Sequence, residues 1–211
     1  AHTHVGYYAG YSNYSPDGST HVGYKAGYDG SDADYNTSIG YHSQYGTSGT
    51  YGDYNSSVGY YSLKNITLGS YNTAIGSLSG RSITSGNGNA FLGGYSGYAV
   101  TTANYNTAMG YASLYTATTA TGNTAIGYES LAFVTNSYNS AIGHNSLRNA
   151  SSASYNTANG PFAGNAITTG DYNTMIGANS DEILQSERCK GMQASIVCIG
   201  TILHRTASAG G

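Results

Sequence analysis

The stretch Tyr71-Asn72-Thr73-Ala74-Ile75-Gly76 recurs through the chain with small variations, and its spacing predicts the fold. From Gly6 to Gly177 its last residue, here called the marker glycine, returns at intervals of 16, 17 or 19 residues, most often 17. A fixed short period with glycine at one phase is typical of a solenoid, in which each repeat forms one coil stacked on the next. The marker glycines are Gly6, Gly23, Gly40, Gly59, Gly76, Gly93, Gly110, Gly127, Gly143, Gly160, Gly177 and, after a longer interval, Gly200.

Two columns of residues just before the marker glycine are predicted to face the core. The position directly before it, the aliphatic column, is apolar in all but one coil, as at Ile75 and Ile126. The position three before it, the threonine column, is usually threonine, as at Thr73 and Thr124. Because side chains alternate along a strand, these two columns share one side. The middle column between them is mostly small and is expected to point outward, packed closely against another surface.

Two further columns are expected to hydrogen-bond adjacent coils to each other and to allow close packing. Asparagine stands four residues before the marker glycine in nine successive coils, as at Asn72 and Asn123, and stacked amides can hydrogen-bond from coil to coil. Three residues after the glycine, in the serine column, eleven successive coils carry only alanine or serine. That restriction indicates a place too tight for any larger side chain.

Much of the content of 23 tyrosines belongs to two more columns. The first tyrosine column lies five residues before the marker glycine and includes Tyr71, Tyr105 and Tyr172. The second lies directly after the glycine and includes Tyr60 and Tyr128. We expect these rings to stack in register, each with an apolar body and a polar tip that stays in water.

These columns predict an all-β chain, a parallel β-solenoid or β-roll with 17-residue coils. Each coil is expected to contain a short strand, the glycine turn, a second short strand and a loop rich in Ser, Thr, Gly and Asn. Eleven coils about 4.8 Å apart would form a rod roughly 50 Å long. A disordered Tyr/Gly/Asn-rich segment is the alternative, but biased composition alone would not make glycine recur every 17 residues. No helix is expected before residue 180.

Composition excludes some partners and predicts another. Only 8% of the residues are charged and the net charge is −3, which argues against nucleic acid. No apolar run is long enough to insert into a membrane. A thin core of Ser, Ala and Thr is marginal on its own, so we predict a homo-oligomer, most simply a trimer around an axis, or an end-to-end filament.

The repeat divides the chain into a solenoid domain, 1–180, and a C-terminal cap or junction segment, 181–211. The phase returns loosely before Gly200, in a more apolar version of the repeat. Cys189 and Cys198 are the only cysteines, and either a disulfide or two buried free thiols would fit them. Since the chain begins in phase, we expect its first coil to continue a longer fibre or to stack on a neighbouring subunit.

At residues 72–76, 123–127 and 139–143 the repeat resembles the head repeats of trimeric autotransporter adhesins. Its Tyr-Asn-Thr-Ala-Ile-Gly motif is also similar to repeats of bacteriophage tail fibres. The resemblance covers about residues 1–180 and implies a left-handed parallel β-roll, usually trimeric, displayed outside a cell or on a virion. The tyrosine content and the longer coil depart from the adhesin pattern.

No catalytic constellation emerges from the sequence, so we predict neither an enzyme nor a cofactor or metal site. Asp29, Asp32 and Asp34 are spaced like the start of a calcium loop, but no bidentate glutamate follows at the distal position, and we interpret them as a solvated loop. His4 and His21 share a column, so a ring of imidazoles in a trimer could hold a metal. Stacked surface histidines without metal are the preferred interpretation.

Two functions remain as hypotheses. The first is a structural, extracellular β-solenoid subunit or shaft that assembles into a fibre or filament, with the columns named above as its core and self-assembly elements. The second is an adhesin or tail-fibre module that recognises a cell-surface glycan, because tyrosine rings stack on sugar faces. A flat threonine face is also typical of ice-binding solenoids, but the inward placement of threonine and the flanking tyrosines argue against that function here.

Overall fold

The protein is described by a computed structural model that covers residues 2–12, 18–29, 34–46 and 52–180, and the backbone of 197–199. Twelve strands of three residues each form one parallel sheet in chain order. Within the described residues there is no helix. The strands are β1 (Thr3–Val5), β2 (Thr20–Val22), β3 (Thr37–Ile39), β4 (Ser56–Val58), β5 (Thr73–Ile75), β6 (Ala90–Leu92), β7 (Thr107–Met109), β8 (Thr124–Ile126), β9 (Ser140–Ile142), β10 (Thr157–Asn159), β11 (Thr174–Ile176) and β12 (Val197–Ile199).

Each strand pairs with the next in the register of the repeat. Ile75 lies opposite Leu92, and Met109 lies opposite Ile126. The marker glycines continue the ladder, since the Gly76 N–H donates to the Val58 carbonyl at 2.8 Å. These observations confirm the all-β parallel β-solenoid with coils of about 17 residues.

The second short strand predicted for each coil is wrong, because the chain turns after the marker glycine. In the coil of Gly76, Leu78 and Gly80 both have positive φ, 60° and 57°, which prevents an extended backbone. The coils remain bonded there, as shown by the 2.8 Å bond from the Leu78 N–H to the Tyr60 carbonyl. One wall of the solenoid is therefore sheet, and the other is a stack of left-handed turns.

The predicted inward side of the strands is also wrong. The middle column faces the interior, with Ala74 fully buried and Phe91 1% exposed. The aliphatic and threonine columns face outward: Ile75 is 42% exposed and Thr73 is exposed, while Thr124 and Ile126 are half-buried. The side chains alternate as predicted, but the interior and exterior sides are the reverse of the prediction.

The narrowness of the interior explains this exchange. The serine column of one coil donates to the carbonyl of the middle column in the next, as in the 3.2 Å bond from Ser79 Oγ to the Phe91 carbonyl. The same bond joins Ser96 Oγ to Ala108 at 2.9 Å. Because the two walls touch through these bonds, the space between them admits mostly small side chains, whereas rows of isoleucine and threonine would overfill it.

The remaining interior volume is shared by the middle column and the residue six positions later, four after the marker glycine. Where the middle column holds Phe91, the later residue is Gly97, and a Cβ placed on that glycine would lie 2.6 Å from the Phe91 ring. Where the middle column holds Ala125, the later residue is Leu131, which is fully buried. Large and small side chains thus exchange places within one constant volume.

A third buried column completes the core on the side away from the sheet. It lies seven residues after the marker glycine and is aliphatic or alanine, and all of its named members are at most 2% exposed. They are Ile66, Ile83, Val100, Ala117, Val134, Ala150 and Ile167.

The repeat phase predicted near Gly200 has a structural counterpart. The β12 backbone pairs in parallel with β11, and Val197 lies opposite Thr174. The other residues of 181–211, Cys189 among them, lie outside the described residues, as does the Cys198 side chain. The cap and the disulfide alternative therefore stay predictions.

Candidate functional site

The marker glycines allow the coils to approach one another closely. Gly76 has a φ of 139°, and a Cβ placed on it would lie 2.5 Å from the Gly93 carbonyl oxygen. At Gly127 the corresponding distance, to the Gly143 carbonyl oxygen, is 2.4 Å. Any side chain at these positions would push adjacent coils apart, so glycine keeps the turn beside the strands in continuous contact.

The asparagine column is an interior hydrogen-bond ladder, as predicted. The Asn72 backbone N–H donates to Asn55 Oδ1 at 2.9 Å, while Asn72 Nδ2 donates to the Gly86 carbonyl at 2.8 Å. Asn123 repeats the first bond, with its N–H 2.9 Å from Asn106 Oδ1. Both ends of the buried amides are used inside the rod, so this column serves stability and offers nothing to a ligand.

The outward columns of the strands form one continuous surface, here called the outer face. It carries threonine or a small residue in one row and, except at Asn159, an apolar residue in the next, with no charged side chain in either. A row of exposed aliphatic side chains along a whole sheet marks an interaction surface, because monomers rarely leave large contiguous apolar patches in water. The exposed members are Val5 (56%), Ile39 (38%), Val58 (37%), Ile75 (42%), Leu92 (42%), Met109 (45%), Ile142 (41%) and Ile176 (46%).

The predicted tyrosine stacking is confirmed. In the first column the Tyr54 and Tyr71 ring centroids are 5.0 Å apart with 5° between the planes, and Tyr155 and Tyr172 are equally close at 4°. Rings inside such a ladder cover one another's faces and present only edges and hydroxyls to solvent. Tyr105 is different, since glycine occupies its column in the coils on either side and the ring is 72% exposed.

The first tyrosine column occupies a backbone position that favours glycine. Tyr71, Tyr105 and Tyr172 have φ values of 60°, 58° and 60°, and the glycine variant Gly88 has 64°. The left-handed conformation costs an L-residue roughly 1–2 kcal/mol, and ring stacking returns roughly 0.5–1.5 kcal/mol. Stacking therefore offsets most of the strain at Tyr71 and Tyr172, whereas Tyr105 has no stacked neighbour in its column.

Sequence reasoning missed a third aromatic column, five residues after the marker glycine. Tyr28 and Tyr45 stack there with centroids 5.1 Å apart, and Tyr98 and Tyr115 do the same at 5.1 Å. The ammonium of Lys25 lies 5.0 Å from the Tyr28 centroid, within cation–π range. The signal was present in the sequence, because these tyrosines repeat at the same 17-residue period.

An open groove of about 360 Å³ lies on the turn wall, across the coils of Gly93, Gly110 and Gly127. Glu129 is its one charged lining residue, and Glu129 Oε2 accepts a hydrogen bond from Arg148 Nε at 2.5 Å. That guanidinium holds the pKa of the Glu129 carboxyl below its usual value, so the groove contains a carboxylate. The lining consists of Tyr95, Tyr111, Ala112, Tyr115, Glu129, Ala132 and Phe133.

The N-terminal histidine rings of adjacent coils lie close together and are tilted against one another. The His4 and His21 ring centroids are 5.2 Å apart, and His21 is only 2% exposed, so its placement at the surface was wrong. Burial first, and then the charges of His4 and His2, lower the pKa of His21 to about 4. Among the described residues no three His, Cys, Asp or Glu side chains are grouped as metal ligands. Asp32 of the calcium-like stretch lies outside them.

The described part of the chain also contains no helix long and apolar enough to span a membrane. Comparison of the chain with protein-family profiles, with curated proteins and with solved structures finds no match.

Proposed function

We propose that the chain is a structural, fibre-forming protein whose rods associate through the outer face. The observation that carries the proposal is the aliphatic column, which has exposed apolar side chains in eight coils between Val5 and Ile176. Burial of the exposed part of one such side chain contributes on the order of 1 kcal/mol. The column repeats that contribution coil after coil, whereas the entropy cost of association is incurred once.

A second copy of the chain is the partner that this face fits best. Its two columns repeat at the strand spacing of about 4.8 Å, and only a partner with the same repeat matches them along their full length. The outer face carries no charge, so two copies meet without repulsion or buried unpaired ions. Three such sheets around an axis would cover all three faces at once.

The proposed location of the protein is outside a cell or on a virion. The resemblance of the coils to trimeric adhesin heads and tail-fibre repeats supports an extracellular rod on a cell or a virion. A chain with 8% charged residues and an interior of backbone, asparagine and serine hydrogen bonds makes a stiff shaft with few protease-sensitive sites. Mechanical support is therefore the proposed role, with lateral association through the outer face as its mechanism.

Two leucines provide a matched test of the proposal. Leu92 lies on the outer face and is 42% exposed, whereas Leu68 is 64% exposed and lies outside the strands. Light scattering after gel filtration should give an oligomeric mass for the wild type and for Leu68→Glu, and a monomer mass for Leu92→Glu. Circular dichroism checks that both variants fold. A monomeric wild type, or two variants of equal mass, would refute association through this face.

A second candidate function uses the same surface. Threonine lies outward, contrary to expectation, so one of the two arguments against ice binding no longer holds, although the flanking tyrosines remain. The same three proteins decide between the candidates in a freezing-hysteresis measurement. Hysteresis in a monomeric wild type that Leu92→Glu abolishes would assign the outer face to ice. An oligomeric wild type without hysteresis assigns it to a second copy.

A further inference from the structure

The groove on the turn wall exists because two side chains are absent from otherwise filled columns. Two residues after the marker glycine, the described coils carry a larger side chain everywhere except at Ala112. Five residues after it they carry Tyr, Lys, Arg or Asn everywhere except at Ala132. These alanines lie in adjacent coils and both line the groove. The opening is therefore a local departure from the repeat, and it leaves neighbouring aromatic side chains uncovered.

Tyr115 is the aromatic ring that gains most from this departure. Its face toward the preceding coil is covered by Tyr98, with centroids 5.1 Å apart and 6° between the planes. In the following coil its column holds Ala132, so no ring of that column covers the other face. Tyr115 thus presents a flat apolar face to the groove.

The opening beside Tyr115 is bounded by Arg148, the next large side chain in the same column, two coils beyond. The Arg148 side chain reaches back to the coil of Gly127, where its Nε donates to Glu129 Oε2. Arg148 is held in place, since its guanidinium carbon lies 4.6 Å from the Phe133 ring centroid.

The charges at the groove select a neutral ligand, because Glu129 lines it and Arg148, which lies outside the lining, pairs with Glu129. Glu129 and Arg148 form an ion pair whose side chains are 22% and 30% exposed, so both still reach solvent. Together they carry no net charge, which disfavours a lone cation or anion. The carboxylate accepts and the guanidinium donates hydrogen bonds, which suits a ligand that carries hydroxyl groups.

We propose that this groove binds a neutral saccharide, with one pyranose ring stacked on Tyr115 and its hydroxyls bonded to Glu129, whose charge Arg148 balances. The groove spans three coils, roughly 10 Å between the outer two, which accommodates a short oligosaccharide. The site lies on columns that the outer face does not use. It therefore goes beyond the fibre proposal and holds whether or not the rods associate.

The test fills the groove with side chains that the repeat already tolerates. Ala132→Tyr continues the Tyr98–Tyr115 ladder, and Ala112→Asn places asparagine where Asn145 already occupies that column with a φ of 54°. Asn165→Tyr is the matched control, because it makes the same new residue in the same column two coils beyond Ala132. Maltose, cellobiose and lactose at millimolar concentration serve as neutral probes, and tetramethylammonium serves as the cationic probe, all titrated by NMR.

We expect at least one disaccharide to bind the wild type and Asn165→Tyr equally, and to bind both filled variants at least ten-fold more weakly. Leu92→Glu should leave sugar binding unchanged, which separates this site from the outer face. Three results would overturn the proposal: no disaccharide binding to the wild type, equal binding to Ala132→Tyr, or tetramethylammonium bound in the groove in preference to the sugars. Melting curves establish that every variant compared is folded.

Discussion

The coils around Phe91 and those around Ala125 build the same fold from opposite side chains. The Phe91 coil places its bulk on the strand and glycine on the turn, whereas the Ala125 coil places alanine on the strand and Leu131 on the turn. The backbone pairing on either side is the same in both. The comparison shows that the solenoid specifies a total volume for each coil and leaves open which wall supplies it.

The comparison extends to the ends of the rod. His4 and His21 follow the Phe91 arrangement, since Gly10 and Gly27 lie against their rings, and a Cβ on either glycine would come within 2.3 Å of the imidazole. The coil of Gly76 has small residues in both columns, and Leu63 and Phe91 reach in from its neighbours. Adjacent coils therefore share volume as well.

The largest loss of stability is expected when both walls of one coil carry a large interior side chain. Gly97→Leu should destabilise the protein by about 4 kcal/mol or more, since the new side chain would overlap the Phe91 ring at a residue with a φ of 61°. Phe91→Ala should cost about 3–5 kcal/mol by leaving a cavity. The double variant Phe91→Ala/Gly97→Leu recreates the arrangement of Ala125 and Leu131. Urea unfolding should show it to be more stable than either single variant. Additive losses would mean that the two positions do not share one volume.

Removing the large side chain from a coil that pairs alanine with leucine should cost less stability. Leu131→Ala leaves small residues on both walls, as in the coil of Gly76, but its neighbours Ala108 and Ala141 offer no large middle-column side chain to reach in. We expect a loss of about 3–4 kcal/mol in the free energy of unfolding, because no neighbouring side chain fills the cavity. Chemical denaturation measures it. A loss below about 1 kcal/mol would show that coils adjust their volume without help from large neighbours.

The coil with His21 in its middle column should respond to pH, unlike the coil with Phe91 there. The pKa of His21 is about 4 in the folded protein, below its ordinary value of 6.5. The unfolded chain therefore binds the proton first, so stability is fully present above pH 6.5 and falls as the pH drops toward 4. The loss between about pH 7 and about pH 4.5 should be roughly 2 kcal/mol.

The variant His21→Phe copies the Phe91–Gly97 pair and removes the titrating group. Thermal melting at the two pH values should show a clearly smaller loss for the variant than for the wild type. Similar losses in both proteins would place the acid sensitivity elsewhere in the chain.

The repeat itself was predictable because each of its columns has a direct chemical reason. The glycine period, the asparagine ladder, the restriction at the serine column and the stacked tyrosines of the first and second columns all follow from residue types recurring at one phase. The side of the strand that faces inward was not predicted, because apolar residues such as Ile75 were assumed to be buried. A signal for the correct side was present: His4, His21 and Phe91 are each followed six residues later by glycine, which indicates a shared interior volume.

The candidate sites were less predictable than the fold. The outer face consists of residues named from the sequence, but their exposure contradicts the role assigned to them. The groove depends on Ala112 and Ala132, which look unremarkable in the sequence until their columns are aligned. Its aromatic walls come from three coils, and the ion pair between Glu129 and Arg148 joins two residues 19 positions apart.

The 17-residue period is enough to establish that this protein is a stack of parallel coils, because a side chain repeated at one phase must lie beside its own copies. Which face of each strand is interior depends on the tertiary packing. Alternation along a strand creates two faces without saying which is inside, and the choice depends on the distance between the walls. Serine-to-carbonyl hydrogen bonds hold those walls in contact. The small residues therefore lie inside, and the isoleucines and threonines remain outside for a partner to cover.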